Sequence, residues 1–424
     1  MMDAGKKLDV AIVGGGMITG DLILPSFYHL QRTGVVGEIS VSALTGSVLQ
    51  ELAENKTVRE AFPESSFTPY PDYMRDDPTT PQPELYKTLL DEMAPRNLVV
   101  VAVPDQLHYP IIKEALKAGQ HVVAVKPLVL KYKQALELEE LAYEKGLFLG
   151  VEYHKRFDDR VLMARQHYRA GELGDFRIAQ ALMMEPYYYT KSNFQNWCTC
   201  ENTDMFTYVG CHYVDQIHFI TGLLPVEVSV HGIKDTYPNG AEGYLWTDAR
   251  VIWENGASLS VLDSMGYPDG APGGNAQGLR MYCKGAEDAC MLFHEDQYRG
   301  VKYSLDATAP NVKKAYQEPS PDFFRLIYRG GTHGLEPVGY GYRSIKHLTQ
   351  GAARVEQGGD DLAARQATLK QIDQEGVLAT PANSAYNELV IEAGRLSILN
   401  DGRPAVIEYG DNPHVYLKEF SQQN

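Results

Sequence analysis

Short apolar runs alternate with helical patterns along the first 150 residues of the chain. The runs that predict strands are residues 10–13, 39–44, 98–103, 121–125 and 148–151. Between them, apolar residues recur at the three- and four-residue spacing of helices, over residues 18–30, 48–61, 84–93, 111–118 and 132–145. Only the proline-rich stretch 62–83 has an irregular pattern. Apolar strands that alternate with helices are typical of a doubly wound parallel sheet, which predicts an α/β domain of the Rossmann type.

The pattern changes beyond residue 152. Strand-like runs follow at residues 175–184, 226–232, 248–253 and 258–264. The last two runs are separated by the turn Glu254-Asn255-Gly256, and Asn-Gly between strands is a strong hairpin signal. We therefore expect residues 1–152 to form the Rossmann domain. Residues 153–424 are expected to form an α+β domain with a large, mostly antiparallel, open sheet and a last helix near residues 384–399.

Charge and composition narrow the range of partners. The chain has 39 basic and 55 acidic residues, a net charge of −16, so its surface repels nucleic acid and anionic lipid. No apolar run approaches the ~20 residues of a membrane helix, and residues 1–8 show no signal-peptide pattern. The five cysteines are an odd and sparse set, which indicates reduced thiols and a cytoplasmic location.

The cysteines are also candidates for a metal site. Cys198 and Cys200 flank a single threonine, and Cys211 precedes His212 directly. Zinc sites more often have two residues between paired cysteines, so we predict no metal.

The first predicted strand runs into the turn Gly-Gly-Gly-Met-Ile-Thr-Gly. Gly14 permits a tight turn, and Gly16 lets the backbone approach a pyrophosphate. Met17 and Ile18 begin the following helix, whose amides and partial positive charge favour an anion. The third glycine of the fingerprint is replaced by Thr19. At the first strand of a parallel α/β unit, this turn predicts dinucleotide binding.

The end of the second strand bears on which dinucleotide binds. An acidic residue at this position would bind the ribose hydroxyls of NAD, but the sequence has Thr45 and Ser47 instead. Both hydroxyls suit either a ribose hydroxyl or a 2′-phosphate. We expect NAD because no basic residue lies nearby, and NADP stays open.

Two further strand ends carry candidate residues at the ligand-binding edge of the sheet. Val103, Pro104 and His108 follow the third strand, and Lys126-Pro127 follows the fourth. A partly desolvated lysine at this edge suits proton transfer or the polarisation of a hydroxyl. The alternative is an ordinary solvated lysine at a strand end.

A helix is predicted over residues 203–222. Tyr208, His212 and Asp215 lie at positions i, i+4 and i+7, so they share one face. Together they form a candidate proton path, in which His212 accepts the proton of the substrate hydroxyl and Asp215 orients the His212 ring. The alternative is a packed helix with a buried structural histidine.

An aromatic segment, residues 185–197, precedes this helix. Aromatic faces beside amides suit pyranose rings, so Tyr188, Asn196 and Trp197 are candidate substrate contacts. Packing or a subunit contact is the alternative in a chain with 27 tyrosines. Weaker candidates are the loops at residues 298–299, 330–334 and 339–343.

Taken together, the glycine turn, the Pro-x-x-x-His loop, Lys126-Pro127 and the motif Tyr-His-Lys-Arg-Phe-Asp at residues 153–158 resemble the Gfo/Idh/MocA family of sugar and polyol oxidoreductases. The resemblance implies a Rossmann domain followed by an open-faced sheet, and a catalytic role for Lys126 at the nicotinamide. It also implies site roles for Tyr153 toward the substrate and Arg156 toward the cofactor, and a dimer or tetramer. Two positions depart from the family pattern: Val125 replaces a glutamate, and Tyr208 replaces an aspartate.

These features predict an NAD(P)-dependent dehydrogenase that acts on a ring hydroxyl of a sugar, glycoside or cyclic polyol. Lys126 and His212 are the expected pair at the reacting carbon. One alternative is an NAD-dependent glycosidase that works by transient oxidation, elimination, hydration and re-reduction. Another is a non-catalytic dinucleotide-dependent sensor.

Overall fold

A computed structural model describes residues 7–269, 275–285, 287–295, 303–305, 315–317, 323–328 and 334–419. The candidate loop at residues 298–299 and most of the one at 330–334 lie outside these ranges. The chain divides into two compact units. The first comprises Met1–Val129, Lys133–His154 and Phe323–Ala385, and the second comprises Leu130–Tyr132, Lys155–Asp322 and Tyr386–Asn424.

Strands and helices alternate along the first part of the chain, and strands dominate the middle. The strands are β1 (Leu8–Val13), β2 (Val36–Ser42), β3 (Thr68–Tyr70), β4 (Leu98–Val101), β5 (His121–Val125), β6 (Leu149–Glu152), β7 (Asp175–Pro186), β8 (Pro225–Thr236), β9 (Glu242–Trp253), β10 (Ser258–Tyr267), β11 (Ala276–Lys284), β12 (Ala289–Glu295), β13 (Tyr303–Leu305), β14 (Ala315–Gln317), β15 (Arg325–Tyr328), β16 (Leu335–Val338), β17 (Ala405–Glu408) and β18 (His414–Leu417). The helices are α1 (Leu24–Arg32), α2 (Gly46–Ala53), α3 (Lys56–Ala61), α4 (Leu85–Glu92), α5 (His108–Lys117), α6 (Tyr132–Lys145), α7 (Asp159–Arg169), α8 (Cys211–Thr221), α9 (Tyr340–Glu356), α10 (Leu362–Glu375), α11 (Pro381–Ser384) and α12 (Tyr386–Ile398). Two π-helical turns, Thr19–Ile23 and Phe206–Gly210, lead into α1 and α8.

The first unit is built on a parallel sheet with the strand order β3-β2-β1-β4-β5-β6. All four residues of β4 are buried, which is expected of a central strand covered on both faces. The order reverses between β1 and β4, and this switch point is where ligands bind in such sheets. The predicted doubly wound domain is confirmed.

Some local predictions for this unit were wrong. The helix expected over residues 48–61 is two helices, because the side chain of Asn55 accepts a hydrogen bond from the Val58 amide at 3.1 Å and starts α3. The irregular stretch contains β3, which is too short to show alternation but pairs with β2. The loop expected over residues 339–343 contains the first turn of α9.

Residues 323–385 belong to the first unit, although the sequence placed them in the second domain. A Cβ on Gly150 of β6 would lie 2.8 Å from Leu348 of α9, so the glycine allows the helix to approach the sheet closely. From α10, Arg365 donates hydrogen bonds to the carbonyl oxygens of Lys145 and Gly146. These contacts join segments about 200 residues apart, which local patterning does not reveal.

The second unit contains a ten-stranded sheet with the order β14-β13-β12-β11-β7-β10-β9-β8-β17-β18. Among the described strands of this sheet, only β7 and β10 pair in parallel. Along β9, buried and exposed residues alternate from Leu245 to Ala249, so one face packs on the core and the other is open. The predicted large, mostly antiparallel, open sheet is confirmed.

A buried ion pair joins three segments of the second unit. Arg156 donates to both carboxylate oxygens of Asp215 on α8, at 2.8 and 2.6 Å. The hydroxyl of Tyr386 on α12 donates to the same carboxylate at 2.9 Å. Both charged side chains are 2% exposed, so each one compensates the burial of the other.

Breaking this pair should destabilise the second unit strongly. We expect Asp215→Ala to lower the free energy of unfolding by about 3–5 kcal/mol, because it removes the carboxylate that compensates the buried Arg156 charge. The milder Tyr386→Phe removes one hydrogen bond to a charged acceptor and should cost about 1.5–3 kcal/mol. Urea unfolding followed by tryptophan fluorescence measures both, since Trp197, Trp246 and Trp253 all lie in this unit. A loss below about 1 kcal/mol for Asp215→Ala, the range of exposed pairs, would contradict the prediction.

Beside this pair, His218 is held in its neutral form. Burial lowers the pKa of His218 from 6.5 to about 4, and the charge of Arg156 adds to this effect. Its ring packs 4.0 Å from the ring of Tyr386, and its Nδ1 lies 2.8 Å from the carbonyl oxygen of Leu223. Above pH 6.5 neither the folded nor the unfolded state protonates this residue. Between pH 6.5 and 4 only the unfolded state takes up the proton, so stability falls as the pH falls.

His218→Gln should therefore weaken the acid sensitivity of the second unit. Between pH 6.5 and 4.5 we expect the free energy of unfolding of the wild type to fall by about 2 kcal/mol more than that of the variant. The comparison uses the same tryptophan signal at a series of pH values. Parallel curves for the two proteins would show that His218 does not titrate in this way.

Candidate functional site

The glycine turn after β1 has the geometry of a phosphate-binding turn. Gly14 has a φ of +115°, and a Cβ there would lie 2.0 Å from the Ala102 carbonyl oxygen, so only glycine fits. The hydroxyl of Thr19 donates to the Gly14 carbonyl oxygen at 2.7 Å and closes the turn. Thr19, in the place of the third glycine, therefore stabilises the turn through its own side chain.

The other side of this turn is open. Gly16 is exposed, and a Cβ built on it would have no atom within 4 Å. Met17 and Ile18 begin the helical segment, and the first amides of a helix have no intrahelical acceptor. These amides, together with the free space at Gly16, fit the pyrophosphate of a dinucleotide.

The end of β2 presents hydroxyl groups and no charge of its own. Thr45 directly precedes α2, and its Oγ1 lies 3.0 Å from the Oγ of Ser47. Both side chains are half-buried. Thr45 therefore lies between β2 and α2, and its contact with a ribose stays a prediction.

His108, predicted as a cofactor contact, is directed into the protein instead. Its side chain is 0% exposed, with Nδ1 2.7 Å from the Pro127 carbonyl oxygen and Nε2 2.9 Å from the Val103 carbonyl oxygen. The ring thus joins the segments that follow β4 and β5. Val103 and Pro104 are half-buried beside it. His108 contributes by holding the Lys126-Pro127 segment against the end of β4.

Lys126 directly follows β5 and is half-buried. Its neighbour Val125 is paired in register with Glu152, the last residue of β6. The Glu152 carboxylate is 2% exposed, and one of its oxygens lies 3.0 Å from Nδ1 of His154. Sequence reasoning missed this pair, although an acidic residue at the end of an apolar strand was a visible signal. The pair brings a buried carboxylate to the edge that carries Lys126.

The helix with the predicted proton path lies in the second unit. His212 is 2% exposed near the start of α8, and Asp215 lies one turn further along. Both carboxylate oxygens of Asp215 accept hydrogen bonds from Arg156, and one also accepts from Tyr386. These contacts give Arg156 and Asp215 a structural role. The part of Asp215 in orienting His212, and that of Arg156 in holding a cofactor, stay predictions.

Tyr208 lies within the π-helical turn rather than in a regular α-helix. The wider π turn changes its angle to His212 from the one that α-helical spacing predicts. Its ring packs edge-on against Phe194 and Trp197, at centroid distances of 5.1 and 5.6 Å. Asp204 starts the helical segment by accepting a hydrogen bond from the Thr207 amide at 2.8 Å. The burial of Asp204 raises the pKa of its carboxyl group.

Some residues of the aromatic segment, 185–197, pack against one another, and others are exposed to solvent. Trp197 belongs to the packed cluster around Phe194, whereas Tyr188 is 49% exposed. Asn196 donates to the Asn193 side chain, which occupies part of its hydrogen-bonding capacity. Of these residues, Tyr188 is therefore the most available for a ligand. Tyr153, the remaining predicted substrate contact, is a buried residue of the first unit.

A polar chain in the second unit was not predicted. The ammonium group of Lys155 donates to the Gln277 side chain at 2.8 Å, and Gln277 donates to Glu185 at 3.2 Å. Lys155 and Glu185 are buried. The lysine stands in the Tyr-His-Lys-Arg-Phe-Asp motif, but Gln277 comes from a distant strand that no local pattern connects to it. Buried polar groups that are connected in this way rigidify the structure around them.

Metal-binding clusters and membrane-spanning helices were not expected from the sequence. Over the ranges that the structure describes, histidine, cysteine and acidic side chains form no group of three or more that suits a metal ion. Within those same ranges, no helix has the length and apolar character that crossing a membrane requires.

Two family models match the chain. Residues 8–153 match the oxidoreductase family with an NAD-binding Rossmann fold, named GFO_IDH_MocA. Residues 161–285 match the GFO/IDH/MocA C-terminal domain. Together the two models cover all six strands of the first sheet and five of the ten strands of the second.

Curated relatives match parts of the chain. The scyllo-inositol 2-dehydrogenase (NADP(+)) of Bacillus subtilis is 25% identical over 225 residues, which are 53% of this chain and 55% of that protein. The D-glucoside 3-dehydrogenase of Escherichia coli is 24% identical over 235 residues, 54% of this chain and 58% of that protein. The chain therefore spans less than two thirds of the length of these relatives.

Solved structures match over nearly the whole length. An inositol dehydrogenase homolog from Azotobacter vinelandii, crystallised with NAD⁺, has a TM-score of 0.65 and 16% identity, with 95% of this chain and 99% of that chain covered. At this identity the likeness establishes the fold alone. Both family models, the glycine turn and the two sheets agree with one another. The chain therefore belongs to the Gfo/Idh/MocA family of NAD-binding oxidoreductases.

Proposed function

We propose that the protein is an NAD-dependent dehydrogenase that acts on a ring hydroxyl of a sugar, glycoside or cyclic polyol. The observation that carries the proposal is the turn from Gly14 to Thr19. The Thr19 hydroxyl closes this turn on the Gly14 carbonyl oxygen, and the open space at Gly16 suits a pyrophosphate. When bound, the nicotinamide supplies the ring that accepts or gives the hydride. The chain's own groups then have to bind the substrate and move the hydroxyl proton.

Lys126 and His212 are the groups proposed to handle that proton. A lysine at the carboxyl edge of a Rossmann sheet can polarise a hydroxyl, and a neutral imidazole can serve as a general base for the hydroxyl proton. His108 supports this role of Lys126 by tying its segment to the end of β4. The ion pair of Arg156 and Asp215 does the same for His212 by anchoring α8.

The substrate class is supported by relatives and by charge. The two curated relatives are named for the oxidation of an inositol and of a glucoside, both of which are polyhydroxy rings. A net charge of −16 favours a neutral ligand over an acidic one. The names of these relatives give no support to an NAD-dependent glycosidase.

The test is a panel of inositols, hexoses and methyl glycosides given to the purified protein with NAD⁺. Absorbance of reduced nicotinamide should appear with at least one of them. Absence of turnover across the panel would overturn the proposal. Release of nitrophenol from an aryl glycoside without net NADH would instead identify the transient-oxidation glycosidase.

The proton-handling roles predict a loss of turnover without a loss of nucleotide binding. Lys126→Met and His212→Asn should each lower kcat by about 10²–10⁴-fold, the usual contribution of a positioned acid or base. NADH binding, measured by fluorescence, should stay within about twofold, since neither change touches the glycine turn. Unchanged turnover in both variants would remove the proposed roles of Lys126 and His212. NADH binding without turnover in the wild type would instead favour the non-catalytic dinucleotide sensor.

The open space at Gly16 predicts a substitution that weakens nucleotide binding without lowering thermal stability. In Gly16→Ala, the new Cβ meets no protein atom, so thermal stability should hold, while NADH affinity should fall by about tenfold or more because the Cβ enters the pyrophosphate space. Gly20→Ala is the matched control, because its Cβ would make only an ordinary 3.4 Å contact with Leu52. Equal NADH affinity in the two variants would place the pyrophosphate elsewhere.

A further inference from the structure

An acidic segment covers the start of α2. This segment, residues 71–84, which we name the ribose loop, follows β3 and returns across the first turn of the helix. A Cβ on Gly46 would lie 3.0 Å from both Pro78 Cα and Tyr73 Cβ, so the loop lies directly against the helix start. The Ser47 amide donates to the Pro78 carbonyl oxygen at 2.8 Å, and the Gln82 amide donates to the Leu44 carbonyl oxygen at 2.7 Å. Backbone hydrogen bonds therefore hold the loop at both ends of the contact.

The contact with Pro78 changes what this helix start can bind. The first amides of a helix commonly hold phosphate groups, because they lack acceptors and lie at the positive end of the helix dipole. In this protein the Ser47 amide already donates to the Pro78 carbonyl oxygen, and that oxygen carries partial negative charge. The remaining side-chain groups at this point are the hydroxyls of Thr45 and Ser47. One of the first amides of α2 is therefore unavailable to a phosphate, whereas the hydroxyls of Thr45 and Ser47 suit a sugar.

The side chains of the ribose loop strengthen this preference. The loop carries the acidic residues Asp72, Asp76, Asp77 and Glu84, and its one basic residue is Arg75. Arg75 pairs with Asp72 at 3.4 Å. The amide and hydroxyl of Thr79, with the hydroxyl of Thr80, donate to the Asp77 carboxylate and lower its pKa. The loop therefore keeps negative charge beside the start of α2 at neutral pH.

We propose that the ribose loop makes this protein selective for NAD over NADP. The inference rests on the proposed dinucleotide site and concerns the residues that distinguish the two cofactors. In NADP the ribose 2′-hydroxyl carries a phosphate of charge close to −2, which the negative charge of the ribose loop would repel. In NAD the free hydroxyls can pair with Thr45 and Ser47. Family membership does not decide the choice, because one relative is named as an NADP(+) enzyme.

Fluorescence titration of the full chain with NADH and with NADPH tests the proposal directly. We expect the Kd for NADPH to exceed the Kd for NADH by about tenfold or more at low salt, because the loop carboxylates repel the additional phosphate. The ratio should shrink as salt rises from about 0.05 to 0.5 M, because exposed carboxylates are screened. Equal or tighter binding of NADPH would overturn the inference alone. Binding of neither nucleotide would overturn it together with the proposed function.

The loop carboxylates can be neutralised without removing their shape. In the double variant Asp76→Asn, Asp77→Asn, the side-chain oxygen of the second new asparagine can still accept from Thr79, so the loop should keep its fold. We expect the Kd for NADPH to fall by about three- to tenfold, with NADH affinity unchanged within about twofold. The matched control is Glu54→Gln, an exposed carboxylate at the far end of α2, which should change neither value. A double variant that leaves the NADPH to NADH ratio at its wild-type value would refute the role of the loop.

Discussion

The buried pair of Arg156 and Asp215 is the interaction on which the second unit depends most. It joins the segment after His154, the helix α8 and, through Tyr386, the helix α12. Neither charge is stable at 2% exposure without the other, so the three segments are fixed together. His212 lies on α8 one turn before Asp215. The ion pair therefore fixes the helix that carries the candidate proton acceptor.

In the first unit, backbone contacts have the corresponding role. Gly14 lies so close to the Ala102 carbonyl oxygen that no side chain fits between them at the switch point, where β1 and β4 end. His108 then joins the ends of β4 and β5 through the carbonyl oxygens of Val103 and Pro127. These contacts hold the turn for the pyrophosphate and the segment of Lys126 on the same edge of one sheet. The sheet thereby prepares the cofactor side of the proposed reaction.

Three positions depart from the usual pattern of the dinucleotide fingerprint or of the family. Thr19 stands in the place of the third glycine and bonds the turn through its hydroxyl. Tyr208 stands in the place of an aspartate, lies in a π turn and packs on Phe194 and Trp197. The end of β2 lacks an acidic residue, while the acidic ribose loop lies against the helix that follows. Such replacements keep the architecture and change the chemistry offered to ligands.

The sequence by itself determined the elements whose signals are local. The alternation of apolar strands with helices predicted the Rossmann sheet, and the glycine turn predicted dinucleotide binding. The Asn-Gly turn predicted part of the second sheet. Only the tertiary structure decided that residues 323–385 pack with the first unit, that His108 faces inward and that Arg156 serves Asp215. The physical reason is the distance along the chain over which each interaction acts. Turn and helix preferences act within a few residues, whereas burial and ion pairing are settled by partners that the fold brings from far along the chain.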